Sequence, residues 1–167
     1  MDIVKDLFLT DCFLIKCFVE TGGMRLSDFL ARLSRPYVLL RDATLIDVEK
    51  GESVSSPEVL LGRDEVILAH ELLDVSGDET LKRVFDARRF SLPVDLYHTG
   101  GVGIEIGARM QPKAFRGLDR ESDFFVVLDA AVRGLDPSVH ESFGLLSSLP
   151  WAVVNRKQIG YILNRNA

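Results

Sequence analysis

The stretch VLLGRDEVILA, residues 59–69, consists of two short apolar runs with four turn-forming residues between them. Runs of valine, leucine and isoleucine are typical of strands, and the Gly-Arg-Asp-Glu sequence at 62–65 is typical of a tight turn. The stretch therefore predicts a β-hairpin. The same pattern returns near the end of the sequence, with strands predicted at 152–154 and 157–163 and with Arg156 at the turn position that Arg63 occupies.

The second hairpin belongs to a longer set of matches between the two parts of the sequence. The matched segments keep the same order, and their offset varies only between 88 and 93 residues. They are 6–10 with 95–99, 38–40 with 126–128 and 55–57 with 148–150, together with the single pairs Ile15–Ile104, Leu26–Phe115, Ala43–Ala131 and Arg63–Arg156. A collinear set of this kind predicts an internal tandem repeat. Chance similarity between β-rich segments is the alternative.

The repeat divides the sequence into three parts. Copy one is expected at 1–73, a connector at 74–94 and a divergent copy two at 95–167. In the connector, Ser76 and Glu79 have the spacing of a helix capping box, and apolar residues follow at helical intervals. We therefore expect one amphipathic helix from about 78 to 89 whose apolar stripe is buried between the two copies.

Within each copy the pattern favours strands over helices. Copy one reads as strands at 7–10 and 13–19, a short helix around 26–33, and strands at 37–40 and 43–48 that lead into the hairpin at 59–69. Copy two repeats this order with a weaker helix pattern. The expected fold class is mainly β. Domains of about 70 residues bury little core alone, so we expect the two copies to pack on each other.

One part of copy one resembles a known family. Residues 24–30, MRLSDFL, and 36–44, PYVLLRDAT, are similar to the RLSDxL…FxxLxDA core of uncharacterised bacterial small β-barrel domains, which are related to the Sm-like and SH3-like barrels. The resemblance covers about 8–70 and reaches copy two only through the internal repeat. It implies two tandem Sm-like small barrels joined by one amphipathic helix. Because Sm-like proteins form rings and often bind RNA, it also implies self-association or RNA binding.

Composition limits the function classes. The 167 residues include 20 basic and 25 acidic side chains, for a net charge of −5, which argues against a strongly basic nucleic-acid-binding protein. No apolar run is long enough to span a membrane as a helix, and the first residues do not have the pattern of a secretory signal. We therefore expect a cytoplasmic protein without membrane contact.

No pattern indicates catalysis, a metal or a cofactor. Cys12 and Cys17 are five residues apart without the second pair that a zinc site needs, and the three histidines are scattered. The glycine-rich stretch at 98–103 lacks the Lys-Ser/Thr of a phosphate-binding loop, and no nucleophile elbow is present. The sequence predicts no catalytic residues, no metal ligands and no cofactor.

Basic residues give the only candidate binding site. The repeat-related Arg63 and Arg156 could form a matched anion site, or each could make a hydrogen bond that completes its turn. The connector adds Lys82, Arg83, Arg88 and Arg89. These residues are interleaved with acidic ones, so a solvated helix face is the alternative to phosphate contacts.

These observations lead to three functional interpretations. The first is a non-enzymatic assembly or protein-interaction module that self-associates or binds a protein partner. The second is an Sm-type protein that binds single-stranded RNA or DNA through the six basic residues named above, with an affinity that falls steeply with salt. The third is a small-ligand sensor or enzyme that uses the seam between the copies.

Overall fold

The computed structural model describes residues 5–72, 89–101, 103–119 and 123–165. The first half contains β1 (Asp6–Leu9), β2 (Phe13–Phe18), α1 (Leu26–Arg32), β3 (Tyr37–Asp47), β4 (Ser53–Gly62), a 3-10 turn (Arg63–Glu65) and β5 (Leu68–Glu71). The second half contains β6 (Leu92–His98), β7 (Glu105–Met110), α2 (Pro112–Gly117), β8 (Phe124–Arg133), a 3-10 segment (Glu141–Ser147), β9 (Leu149–Asn155), a 3-10 turn (Arg156–Gln158) and β10 (Ile159–Asn164).

All ten strands of the described residues belong to one antiparallel sheet. The strand order is β10-β6-β7-β8-β9-β5-β1-β2-β3-β4. Each half therefore contributes five neighbouring strands, and in each half the fifth strand of the chain order lies beside the first. The two halves meet where β9 pairs with β5. The mainly β class predicted from the sequence is confirmed. The hairpins predicted at 59–69 and near the end of the sequence are wrong, because the strands on either side of each arginine turn pair with other strands: β4 with β3, β5 with β1 and β9, and β10 with β6.

The expectation of two separate small barrels is not met by this pairing. The strands form a single open sheet that is not closed into a barrel. The reason is that β5 pairs with β1 on one side and with β9 on the other, so both of its hydrogen-bonding edges are used. The same holds for β9, which lies between β8 and β5. The predicted connector helix lies largely outside the described residues, and no described helix is long and apolar enough to cross a membrane.

The third strand of each half contains the same irregularity. Asp42 in β3 and Asp129 in β8 have positive φ angles of 49° and 48°. In β3, Leu40 and Ala43 are both buried although they are three residues apart, because the bulge at Asp42 moves the following residues to the other face. The bulges make Asp42 and Asp129 equivalent, with an offset of 87 where the sequence matches suggested 88.

A proline lies opposite each bulge. Pro57 in β4 faces the irregular position at Asp42, and Pro150 in β9 faces Asp129. Proline has no amide to donate to a sheet, so it fits where the ladder is already interrupted. This matched pair gives a physical reason for the Ser-x-Pro match that the sequence shows at an offset of 93.

The first strands align one residue away from the sequence match. In the structure Phe8 lies opposite Ile15, and Leu96 lies opposite Ile106. Each pair belongs to the core on the helix side of its own half, which makes Phe8 equivalent to Leu96 rather than to Tyr97. A shift of one residue moves every side chain of a strand to the other face. The strand order of the two halves is therefore shared, but the residue-by-residue match of the first strand is not.

The core consists of two clusters of buried side chains. The smaller lies under α1 and combines Phe8, Leu26 and Leu30 of the first half with Phe124 and Trp151 of the second. The larger surrounds β6 to β9 and also takes in apolar residues of β1 and β5. Because both clusters contain residues from both halves, apolar burial and sheet hydrogen bonds join the halves together.

Candidate functional site

The two turn arginines occupy equivalent positions. Arg63 and Arg156 each begin the 3-10 turn that links the fourth strand of a half to the fifth. The Arg63 amide donates to the carbonyl of Pro36 at 2.8 Å, and the Arg156 amide donates to the carbonyl of Asp123 at 2.6 Å. Pro36 and Asp123 each immediately precede the third strand of their half. The turns are thus built alike, but only the second half has a carboxylate at this place.

Asp123 gathers the basic side chains of both turns. Arg156 Nη2 donates to Asp123 Oδ1 at 3.0 Å, and Arg63 Nη2 lies 3.4 Å from Oδ2. Lys157 Nζ is 3.5 Å from the same Oδ2 and 3.3 Å from Asp64 Oδ1. Desolvation alone would raise the pKa of Asp123. The hydrogen bond from Arg156 and the charges of Lys157 and Arg63 outweigh it and hold the pKa below its usual value.

This cluster connects the two halves. Arg63 belongs to the first half, while its partner Asp123 belongs to the second, and the Arg63 guanidinium also lies over the Phe124 ring at 5.3 Å. The carboxylate of Asp123 occupies the position between the arginines that an external anion would need. The geometry therefore favours a role for Arg63 and Arg156 in holding the seam over the predicted phosphate contact.

The connector part of the predicted basic site cannot be placed. Lys82, Arg83 and Arg88 lie outside the described residues, and Arg89 is exposed. The structure brings together Arg63 and Arg156 of the six predicted residues, with Lys157 as a third cation that sequence reasoning missed. Its position one residue after Arg156 was the available signal.

A second set of contacts lies on the α1 side of the junction, and in it Arg25 and His70 of the first half reach Trp151 of the second. Glu71 at the end of β5 accepts the amide of Leu26, the first residue of α1. Arg25 Nε lies 3.7 Å from Glu71 Oε1, and the Arg25 guanidinium lies 5.0 Å from the centroid of the Trp151 ring. His70 is also 5.0 Å from that ring. Trp151 therefore belongs both to the core and to the seam.

The residues considered for metal binding are dispersed. Cys17 is buried and Cys12 is exposed, so only Cys17 has the environment of a small core residue. His98 Nδ1 lies 2.9 Å from the carbonyl of Gln158, and His140 Nδ1 accepts the Ser142 amide. Within the described ranges, no group of three His, Cys, Asp or Glu side chains could hold a metal ion.

A groove of about 460 Å³ lies beside Glu71. It is lined by Lys5, Arg25, Glu71 and the segment 18–24, all from the first half. The groove is therefore not formed by the two halves together, as the seam-ligand interpretation requires.

The sheet ends at two strands whose outer edges have no partner among the described residues. These strands are β4, the fourth strand of the first half, and β10, the fifth strand of the second half. Both carry large exposed apolar side chains, namely Val54 and Leu60 on β4 and Tyr161 and Leu163 on β10. We call β4 and β10 the free edges; they are the candidate functional surface.

Comparison of the sequence and the structure with protein-family models, curated proteins and solved structures finds no match.

Proposed function

We propose that this protein is a non-enzymatic self-assembly module whose copies join through their free edges. One observation supports the proposal above the others. At the central junction a fourth strand, β9, pairs with a fifth strand, β5. The free edges are again one fourth strand and one fifth strand, β4 and β10. The chain thus carries at its two ends the same kinds of edge that it joins at its centre.

The family relationship is part of the same proposal. The two halves have the same strand order, a short helix after the second strand, and a 3-10 turn before the fifth. We take each half as a divergent Sm-like domain that has opened and contributed its strands to a shared sheet.

The free edges have few of the features that usually prevent strands from pairing. Natural sheets protect their edges with charged side chains, particularly lysine, with proline, with bulges and with very short strands. β10 contains no charged residue, and β4 is ten residues long with Glu58 as its single charge. Pro57 lies opposite the bulge at Asp42 of β3, three residues before Leu60. Leu60 is the β4 residue that is equivalent to Val153 at the internal junction. Unpaired strands of this kind readily add a strand from another chain.

The internal junction also gives the register of the proposed contact. Ala69 of β5 lies opposite Val153 of β9. The strand pairings make β9 equivalent to β4 and β5 equivalent to β10, in both cases with an offset of 93 residues. Applied to the junction, this offset places Ile162 of one copy opposite Leu60 of the next. Such a contact is head-to-tail, so repeated addition generates a ring if the rotation closes and a filament if it does not.

The test compares two leucine-to-lysine variants by size-exclusion chromatography with light scattering. Leu163 lies on a free edge and is 50% exposed, while Leu145 lies on the Glu141–Ser147 segment and is 42% exposed. We expect the wild-type protein and Leu145→Lys to form the same oligomer and Leu163→Lys to dissociate. A wild-type protein that is monomeric over the whole accessible concentration range would overturn the proposal. Absorbance at 260 nm that is required for the oligomer would favour the nucleic-acid interpretation.

A further inference from the structure

Helix α1 spans the junction between the halves. Its buried residues Leu26 and Leu30 pack in one cluster with Phe124 and Trp151 of the second half. Arg25, immediately before the helix, places its guanidinium over the Trp151 ring. The β9–β5 pairing is therefore accompanied by a second contact, in which the helix of one half lies on the third and fourth strands of the other.

The surface that receives α1 has an equivalent on the first half. The second-half residues in the same buried cluster as Leu26 and Leu30 of α1 are Phe124, Leu128, Trp151 and Val153. Equivalent residues of the two halves are 87 positions apart in the third strand and 93 positions apart in the fourth. The equivalents of these four residues in the first half are Tyr37, Arg41, Glu58 and Leu60, which we call the outer patch. Phe124 is 5% exposed and Val153 is 0% exposed, whereas their equivalents Tyr37 and Leu60 are 54% and 65% exposed. The outer patch is thus exposed, whereas the equivalent residues of the second half are buried, although Val126 between Phe124 and Leu128 is 44% exposed.

Helix α2 has the complementary property. Unlike α1, it contains no fully buried residue. Lys113 and Arg116 are exposed, and Phe90 beside them is 75% exposed. The third and fourth strands that α1 covers lie beyond β5 in the sheet. No described strand lies beyond β10 in the same copy, because β10 ends the sheet, so α2 has no equivalent strands to cover.

We infer that α2 of one copy docks on the outer patch of the next copy, as α1 docks on the second half within the chain. This rests on the proposed function, because pairing of β10 with β4 is what brings α2 to the neighbour's third and fourth strands. The occupant is therefore a second copy of this chain.

The outer patch offers one carboxylate and two apolar side chains to α2, beside the cation of Arg41. Within the chain, the cation of Arg25 meets the face of Trp151. At the equivalent position the outer patch has Glu58, which lies 3.8 Å from Arg41 of the same patch. Gln111 takes the place of Arg25 before α2, and the cations that α2 itself offers are Lys113 and Arg116. A carboxylate facing basic side chains replaces the cation–π contact, while Phe90 supplies an apolar side chain for Tyr37 and Leu60.

Charge reversal tests this contact. Glu58→Arg and Arg116→Glu should each raise the dissociation constant of the oligomer about tenfold or more, while the combination of both changes in one chain should restore association. Glu49→Arg, an exposed change in the β3–β4 turn away from the patch, serves as the control. Unfolding curves of the dilute variants show whether the monomer fold is kept, and the dissociation constants come from sedimentation velocity.

The outcomes separate the two proposals. Weakening by each reversal and recovery in the combination support α2 docking. If Leu163→Lys dissociates the oligomer but Glu58→Arg and Arg116→Glu leave the dissociation constant within about twofold of wild type, docking of α2 is overturned while strand pairing stands. A wild-type protein that stays monomeric overturns both. Weakening by each reversal without recovery in the combination also overturns the specific pairing of α2 with Glu58.

Discussion

At the scale of single residues, Asp6 is a buried carboxylate with one oxygen that is unpartnered within the part of the chain that the structure describes. The residue is fully buried, and its Oδ2 accepts the Val19 amide at 2.9 Å. Oδ1 has no hydrogen-bond partner among the described residues, and Glu71 lies directly opposite on β5. Burial raises the pKa of Asp6 from 3.8 to about 6, against the lowering effect of the Val19 amide. The folded chain therefore binds this proton more tightly than the unfolded chain does.

The raised pKa gives a pH-dependent prediction for Asp6→Asn. The stabilisation from the bound proton is complete below about pH 4 and is lost as the pH rises through about 6. Asp6→Asn should therefore raise the free energy of unfolding by about 1–3 kcal/mol above pH 7 and change it little near pH 4. Urea unfolding at both pH values measures this. Asp95→Asn is the contrasting variant, since Asp95 pairs with Arg133 at 2.9 Å and its loss should destabilise. An equal gain for Asp6→Asn at both pH values would contradict the explanation.

The Arg63–Asp123 pair should contribute measurably to stability because both side chains are about one-fifth exposed. A double-mutant cycle with Arg63→Ala and Asp123→Ala should give a coupling energy of about 1–2 kcal/mol. Arg133 and Glu105, at 3.6 Å and both largely exposed, form the control pair, for which we expect less than about 0.5 kcal/mol. Equal coupling in the two cycles would contradict the role of Asp123 at the seam.

At the scale of elements, the β3–β4 turn contacts the second half through Gly51. Gly51 has φ of 74°, and a Cβ there would lie 2.5 Å from the Val139 carbonyl oxygen. Gly22 has a similar φ of 65° but no atom within 4 Å of that position. Gly22→Ala should therefore cost about 1 kcal/mol from backbone strain alone, and Gly51→Ala at least about 1 kcal/mol more. Chemical denaturation of both variants measures the difference, and equal costs would show that the turn does not press on Val139.

The strands, helices and turns were largely predictable from the sequence, while the residue-by-residue alignment of the two halves was predictable only in part. The short helix after the second strand, the tight turns and the arginine turn follow from local patterns in the sequence. The bulges were missed, although Asp42-Ala43 and Asp129-Ala130 share a dipeptide that carries the correct offset. A sequence match tolerates a slide of one residue, but a pleated strand does not, because each step changes the face.

At the scale of the whole molecule, the seam could not be predicted because its partners have no local signal. Asp123 is far from Arg63 in sequence and has Pro36 at the equivalent place in the first half, so the repeat gave no indication of the pair. Closure into barrels was the natural expectation for two small copies. The structure instead uses the available edges to join the copies, which buries β5 and β9 and leaves β4 and β10 at the ends.

The register of the proposed assembly leads to a covalent test. If β10 of one copy pairs with β4 of the next, Ile162 and Leu60 are opposite and on the same face, within the range that a disulfide spans. A chain with Leu60→Cys and Ile162→Cys, in which the exposed Cys12 is replaced by Ser, should give a ladder of cross-linked multimers under mild oxidation. Moving the second cysteine by one residue, with Leu60→Cys and Leu163→Cys, directs the thiols to opposite faces and should suppress the ladder. Non-reducing gel electrophoresis distinguishes the two chains. Equal ladders would exclude this register, and no ladder in either chain would argue against edge pairing as the way in which copies of this protein associate.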